Sequence, residues 1–403
     1  MMAIAWWVYR VTGNEWMLGL IPFFMHLPTF LLSPLAGALA DRWNRRRVLV
    51  GAQLLDMVTM LTLAALGFSD LLQLWHLYAG CALLGVAKAF DLPARQALVV
   101  EIISHRDDLS NAIALNSSMF QAARLIGPVL GAGVMWVASR DPVVARIGAG
   151  QGETLCFLLD GLSYFAVIAA LLGLRLQPQT QPEVRKHLLH DMKEGFDYAF
   201  GFRPMRALMM LVGVSALMGA PYTSQLPAIA DQVLSGDEHT YGLLMSAGGL
   251  GAFLGAMYLA ARKTVLGLGR VIAISTALFG LSLIAFAFST SLTVSLFLLT
   301  LAGTAAMISW AGTNTVIQTL VTDDKRGRVM SFFGMTFMGG MPLGSLIYGR
   351  IATTLGAPFA VILGGVMVTL GGVFFGVRLP AIRAMARPVY IERGILPRMT
   401  TDS

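Results

Sequence analysis

Gly37-Ala-Leu-Ala-Asp-Arg-Trp-Asn-Arg-Arg-Arg47 is the stretch whose reading decides the fold. An apolar run, Trp16 to Ala40, leads into it, and a second begins at once at Val48. About 20 apolar residues in a helix cross the hydrocarbon core of a bilayer, so each run is of membrane length. A short loop holding four arginines and one aspartate between two such runs is an inside loop by the positive-inside rule. The whole chain agrees: of its 403 residues 56% are hydrophobic and 13% charged, where soluble domains carry roughly 25% charge.

Twelve apolar runs can be followed from Met1–Tyr9 to Phe359–Val377, the first too short to span. The longest polar connection, Gln177 to Pro204, separates the sixth run from the seventh. The expected organisation is a helix bundle over 1–176, a linker over 177–204, a second bundle over 205–380 and a basic cytoplasmic tail over 381–403. In the linker Val184, Leu188, Met192, Phe196 and Phe200 recur every four residues, with Arg185, Lys186, Lys193 and Glu194 off that line. That pattern predicts a basic amphipathic helix lying on the inner membrane surface.

Counting lysine and arginine sets the orientation. Of the 29, 23 fall in segments on the Asp41 side; Arg10, Arg140 and Arg146 lie on the other side, and Lys88, Arg124 and Arg350 within helices. The opposite loops carry Glu15, Asp70, Asp141, Asp231, Asp237 and Glu238. Both termini are therefore expected in the cytoplasm. Basic residues held at helix ends argue against nucleic acid as the reason for the net charge of +7. Cys81 and Cys156 sit in apolar runs and make no disulfide framework or metal site.

The halves repeat each other. Gly127-Pro128-x-x-Gly131 answers to Met341-Pro342-Leu343-Gly344, and Ser117 to Ser331, both at an offset of 214 residues. Gln96-Ala-Leu-Val99 recurs as Gln318-Thr-Leu-Val321 and Gly37-Ala-Leu as Gly255-Ala-Met. A nearly constant offset marks duplication of a six-helix unit, the way transporter folds are built.

The loop opening with Gly37, Asp41, Arg42, Asn44, Arg45 and Arg46 resembles the loop between the second and third helices of the major facilitator superfamily. Phe90-Asp91-Leu-Pro93-Ala-Arg95-Gln96, the stretch from Asn111 to Pro128 and Arg326-Gly327-Arg328-Val-Met-Ser331 resemble its exporter branch, which holds the enterobactin exporter and secretion or drug-efflux proteins. The resemblance runs from Trp6 to about Val377. It implies an all-α membrane protein of two six-helix bundles in a bacterial inner membrane. It also implies a monomer with the bilayer and a small molecule as its partners, no cofactor, and the proton gradient as driving force.

Within that frame Gly37, Asp41, Arg42, Arg45, Arg46, Asp91 and Arg95 are expected to form a cytoplasmic latch that closes and opens as access alternates. Gly127, Pro128 and Gly131, with Pro342 and Gly344, resemble the Gly-Pro kink motif of antiporters, where small residues let helices approach and proline bends them. Charges inside a membrane are costly and so are functional candidates. Arg124 lies 13 residues beyond Asn111, roughly 20 Å along a helix. It suits an anionic substrate, a proton-carrying acid or a structural ion pair. Lys88 shares a face with Asp91 and Arg95 and lies deeper. His26 changes charge near neutral pH, or is simply hydrogen-bonded. Trp7, Trp310, Asn314 and Gln318 fall on nominal cavity helices and make either an aromatic and polar pocket or ordinary packing. Asp56 and Asp160 fall on the third and sixth helices, outer ones in this family, which speaks against a role in carrying protons.

Only about half of a first span is present, up to Arg10, and the expectation is a start upstream of Met1. No nucleophile arrangement, metal-ligand spacing or phosphate loop points to an enzyme. The sequence leads to a proton-coupled exporter of a small amphipathic molecule such as a siderophore, drug or metabolite. The alternatives are an importer or uniporter of the same fold, or a membrane scaffold or sensor that no longer transports.

Overall fold

A computed structural model of the chain describes residues 1–40, 43–102, 109–140, 152–174, 197, 200–262, 264–322 and 325–393. Among these the only regular structure is helical. The helices are α1 (Met2–Thr12), α2 (Glu15–Ala40), α3 (Arg45–Phe68), α4 (Leu74–Ile102), α5 (Leu109–Arg140), α6 (Gly152–Gly173), α7 (Arg203–Gln232), α8 (Glu238–Ala260), α9 (Leu268–Ala287), α10 (Leu292–Leu320), α11 (Arg326–Leu355) and α12 (Ala357–Glu392). Among the described residues ten helices are long and apolar enough to cross a membrane, and α5 adds the apolar stretch Ala122–Ala138; α1 has 11 residues.

Local chemistry sets the ends. Asn44, part of the motif loop, is the N-cap of α3, its side chain accepting from the Arg47 amide at 3.2 Å. Asp237 caps α8 in the same way, accepting from Thr240 at 3.1 Å. Gly13 closes α1 at φ 56°, a left-handed position that suits a residue without Cβ. In α7 the α-helical Arg203–Val214 gives way to a π turn, Ser215–Gly219, then a 3-10 stretch, Ala220–Gln225, before α geometry resumes at Leu226.

Packing follows the sequence repeat. In the first half α2 packs on α4 and α3 on α4 and α6; in the second, α8 packs on α10 and α9 on α10 and α12. The halves join through the symmetry-related pairs α2–α11 and α5–α8. Successive helices alternate in direction, so one face carries the turn at Asn14 and the other the loop at Asn44.

The distribution of apolar contacts shows where the halves meet. One buried cluster draws on both, from Ile4, Leu18 and Leu77 to Leu226, Tyr241 and Tyr348. Two further clusters lie toward the Asn44 face and stay within one half each. Leu49, Ala94 and Leu98 belong to the first half, and Leu208, Ile272, Ile317 and Leu379 to the second. Among the described residues the halves are joined toward the Asn14 face and leave a cleft between them toward the Asn44 face.

The linker's amphipathic stretch lies almost wholly outside the described residues. Residues 381–392, expected as tail, continue α12, because Leu379 and Ala386 are buried against the second half and hold the extension down.

Candidate functional site

The closed Asn14 face is built mostly from backbone in close contact. Gly19 of α2 meets Ser345 and Gly349 of α11; a Cβ on Gly19 would stand 3.1 Å from the Gly349 Cα. A Cβ on Gly249 of α8 would stand 2.7 Å from the Arg124 carbonyl oxygen of α5, and one on Gly242 3.1 Å from that of Pro128. Small residues let helices without a hydrophobic driving force between them gain dispersion contact. Polar contacts rim this face: the Tyr9 hydroxyl donates to Asp231 at 3.0 Å, Gln232 donates to Glu15 at 2.8 Å, and Arg10 pairs with Glu153 at 3.4 Å. Trp6 stacks on Tyr241 with centroids 5.9 Å apart.

This arrangement corrects the expectation for Gly127 and Gly131. Gly127 has no atom within 4 Å of where its Cβ would be, and Gly131 has only the Met2 sulfur at 3.8 Å. The glycines that permit the α5–α8 approach are on α8. Pro128 lies inside α5, and its carbonyl faces Gly242. In the second half Pro342 is buried within α11, and Gly344 packs against Leu217 and Pro221 of the interrupted stretch of α7.

Arg124 of α5 sits at the seam between the halves. Its backbone closes the α5–α8 contact at Gly249, its side chain remains accessible, and its charge acts on Tyr222 of α7 in the other half. The Tyr222 hydroxyl points toward Gly248, one residue along α8. From Tyr222 a chain of edge-to-face rings runs through Phe279 (6.3 Å) and Trp310 (6.0 Å) to Phe337 (5.0 Å). The Trp310 Nε1 has no hydrogen-bond partner. Asn314 and Gln318 continue the Trp310 face of α10 at four-residue steps, Gln318 donating to Asn314 at 2.5 Å. Trp310, Asn314 and Gln318 thus share one face of α10, and the ring chain ties Trp310 to Tyr222, on which the Arg124 charge acts. Trp7 lies elsewhere; it is 9% exposed inside the core of the closed face.

The first half holds the ions. Asp56 of α3 is 6% exposed, with Oδ1 lacking any hydrogen-bond partner. The Lys88 ammonium of α4 interacts electrostatically with Asp56, Asp91 and Asp160. Asp91 accepts from Gln53 at 2.8 Å and pairs with Arg95 at 2.8 Å, one helical turn on and toward the Asn44 face. His26 of α2 lies within reach of the Lys88 charge, where α2 and α4 cross at Met25 and Gly85. The sequence reading set Asp56 aside as an outer-helix residue. In fact its side chain turns into the bundle, and the i, i+3 spacing from Gln53 was the available signal.

Of the expected latch, Asp41 and Arg42 lie outside the described residues, and Gly37 ends up in the last turn of α2. Arg46 donates to the Leu174 carbonyl at 3.2 Å and to that of Leu172, fastening α3 to the end of α6. Arg45 starts α3, and Arg95 pairs with Asp91 in its own helix. The contacts of Arg46, Asp91 and Arg95 lie inside the first half.

The chain matches the transmembrane secretion effector family over residues 1–391. It is 26% identical over 357 residues to the staphyloferrin A transporter of Staphylococcus aureus, covering 87% of this chain and 84% of that protein. It is 24% identical over 394 residues to the multidrug efflux pump Tap of Mycobacterium tuberculosis, covering 95% and 90%. Macrolide efflux protein A of Streptococcus pyogenes is 20% identical over 373 residues, with 91% and 88% covered. In fold it resembles an inward-facing, unoccupied bacterial homologue of the human lysosomal transporter Spinster, with TM-score 0.70, 17% identity and 97% and 93% of the two chains covered. It also resembles the E. coli fucose:proton symporter, with TM-score 0.57, 14% identity and 93% and 95% covered. With its duplicated bundles and one-sided cleft, the chain belongs to the transmembrane secretion effector family, a membrane-transporter family of the major facilitator superfamily.

Proposed function

We propose that the protein is a proton-coupled exporter of small amphipathic molecules, working by alternating access with both termini in the cytoplasm. The observation that carries this reading is the cleft itself. At its apex the Arg124 side chain of one half lies within electrostatic reach of Tyr222 of the other, and an aromatic chain leads from Tyr222 through the second half. The basic loops place the Asn44 face inside, so the cleft opens to the cytoplasm and can load cargo there. Arg124 and Tyr222 receive the acidic part of the cargo; Trp310 and Phe337 take its apolar part; Asn314 and Gln318 supply polar contacts. The efflux proteins among its relatives favour outward transport.

Lys88 and Asp56 carry the proton in this reading. A buried carboxylate within electrostatic reach of a half-buried ammonium can exchange a proton with it at little cost in net charge, and Gln53, Asp91 and Arg95 lead on toward the cytoplasmic face. His26 is the neighbouring titratable group on α2.

An efflux-deficient bacterium loaded with an anionic fluorescent dye tests both parts. Wild-type extrusion should stop with a protonophore. Arg124→Gln should raise the apparent KM about tenfold, a loss of about 1.4 kcal/mol, while Arg124→Lys keeps most of the affinity. Asp56→Asn should abolish uphill extrusion yet still move dye down its gradient. Protonophore-insensitive extrusion by the wild type would overturn proton coupling. An unchanged KM in Arg124→Gln would remove Arg124 from the cargo site.

A further inference from the structure

From the far end of α12 we infer a binding site for an anionic phospholipid of the cytoplasmic leaflet, seated between the helix extension and the α8–α9 loop. Its evidence is separate from the cleft, and it requires only that the protein spans a membrane with the basic face inside.

The 36 residues of α12 extend about 54 Å, some 24 Å more than a hydrocarbon core requires. The excess is not free in solvent. Leu379 and Ala386 are buried against α7, α9 and α10, Ile382 and Tyr390 pack beside them, and Arg393 donates to the Val321 carbonyl. This contact leaves an open cavity of about 480 Å³ with a divided lining. Leu208, Val316, Leu320 and Leu379 form an apolar floor, while Arg383, Arg387 and Tyr390 form the mouth.

Three properties select the ligand. The cavity lies where α7 and α9 begin and α10 ends, the level at which apolar helix gives way to headgroups. Arg383 and Arg387 are one turn apart on one face, so two guanidinium groups can converge on one phosphate, with the fork geometry that suits its oxygens. Among the described residues no carboxylate lines the cavity and neither arginine has an ion pair. A phosphodiester at the mouth with an acyl chain over the floor satisfies both parts; a free anion satisfies only the first. Basic pockets between helices on the cytoplasmic side are the setting in which anionic headgroups bind. Bound there, the lipid would bridge the α12 extension to the α8–α9 loop and brace the cytoplasmic end of the second half.

The test uses the full chain purified in neutral detergent, with thermal unfolding followed as lipid is added. Phosphatidylglycerol should raise the midpoint by roughly 2–4 °C, and native mass spectrometry should show it retained. Phosphatidylcholine and inorganic phosphate at equal concentration should do neither. The Arg383→Gln/Arg387→Gln variant should match the wild-type midpoint in phosphatidylcholine but lose the rise. An equal rise with phosphatidylcholine, or with phosphate alone, would overturn the assignment. So would a double variant that keeps the full response to phosphatidylglycerol. Arg383→Lys/Arg387→Lys guards against a folding defect: retention of at least part of the rise supports the site, and a rise as small as in the glutamine variant counts against it.

Discussion

The two halves descend from one repeated unit and keep the same helix packing, yet they put different things inside the membrane. The first half holds charge among its helices: Asp56 is buried on α3, and Lys88 and Asp91 are half-buried on α4. At the corresponding depth the second half has rings and hydroxyls instead, from Tyr222 through Trp310 to Phe337, with Thr276 and Ser309 sharing a 2.6 Å hydrogen bond. A buried ion stays where it is only if a process uses it or a partner compensates it, because its desolvation is expensive. A chain of edge-to-face rings needs no such support and adds shape. In the proposed function, duplication thus leaves one half to handle protons and the other to fit cargo.

The sharpest way to break this contrast is to remove compensation from the charged half. Lys88→Met should lower stability in detergent, because it removes the cation whose charge acts on buried Asp56. Asp56→Asn/Lys88→Met should recover at least half of that loss in an unfolding titration. Simple additivity of the two changes would show that the residues do not couple. Next in size is the seam between the halves. Gly249→Leu should cost roughly 2 kcal/mol by overpacking against the Arg124 backbone and raise maleimide labelling of an Asn14→Cys reporter. Gly127→Leu, facing open space, should change neither measurement. The aromatic half gives the third test: Trp310→Ala should weaken the apparent affinity for an aromatic dye about tenfold, a loss of about 1.4 kcal/mol. Loss of proton coupling in Trp310→Ala would erase the division of labour. The smallest effect belongs to Arg95→Gln, which removes an exposed i, i+4 pair worth roughly 0.3–0.5 kcal/mol. A larger deficit in its thermal midpoint would show that Arg95 does more than hold Asp91.

The α2–α3 loop, the run lengths and the repeat were enough to read the fold, since topology in a bilayer follows from apolar length and basic ends. The site was less legible. Asp56 was discounted because its helix is peripheral, but a peripheral helix still has an inward face, and Gln53 and Asp56 both lie on it. Gly127 and Gly131 were read as contact points because the motif carries them, whereas the space they might fill is set by Gly242 and Gly249 on the partner helix. Nothing in a single helix reports which side of a contact supplies the small residue. Arg46 looked like part of a gate; it is spent on carbonyls at the end of α6, an acceptor no charge count reveals. The π turn of α7 left no periodicity signal because it is five residues long.

That interruption has a mechanical consequence. The six residues from Ala220 to Gln225 are wound as a 3-10 helix, which rises about 2.0 Å per residue, against about 1.5 Å in an α-helix. Rewinding them into α geometry would shorten α7 by about 3 Å and turn one end against the other by about 120°. Tyr222 lies in the middle of this segment, so the same winding would swing its hydroxyl around the helix axis away from Arg124 while both ends stay embedded. The segment is thus a short screw thread in the wall of the cleft, able to convert rotation into travel without breaking the helix.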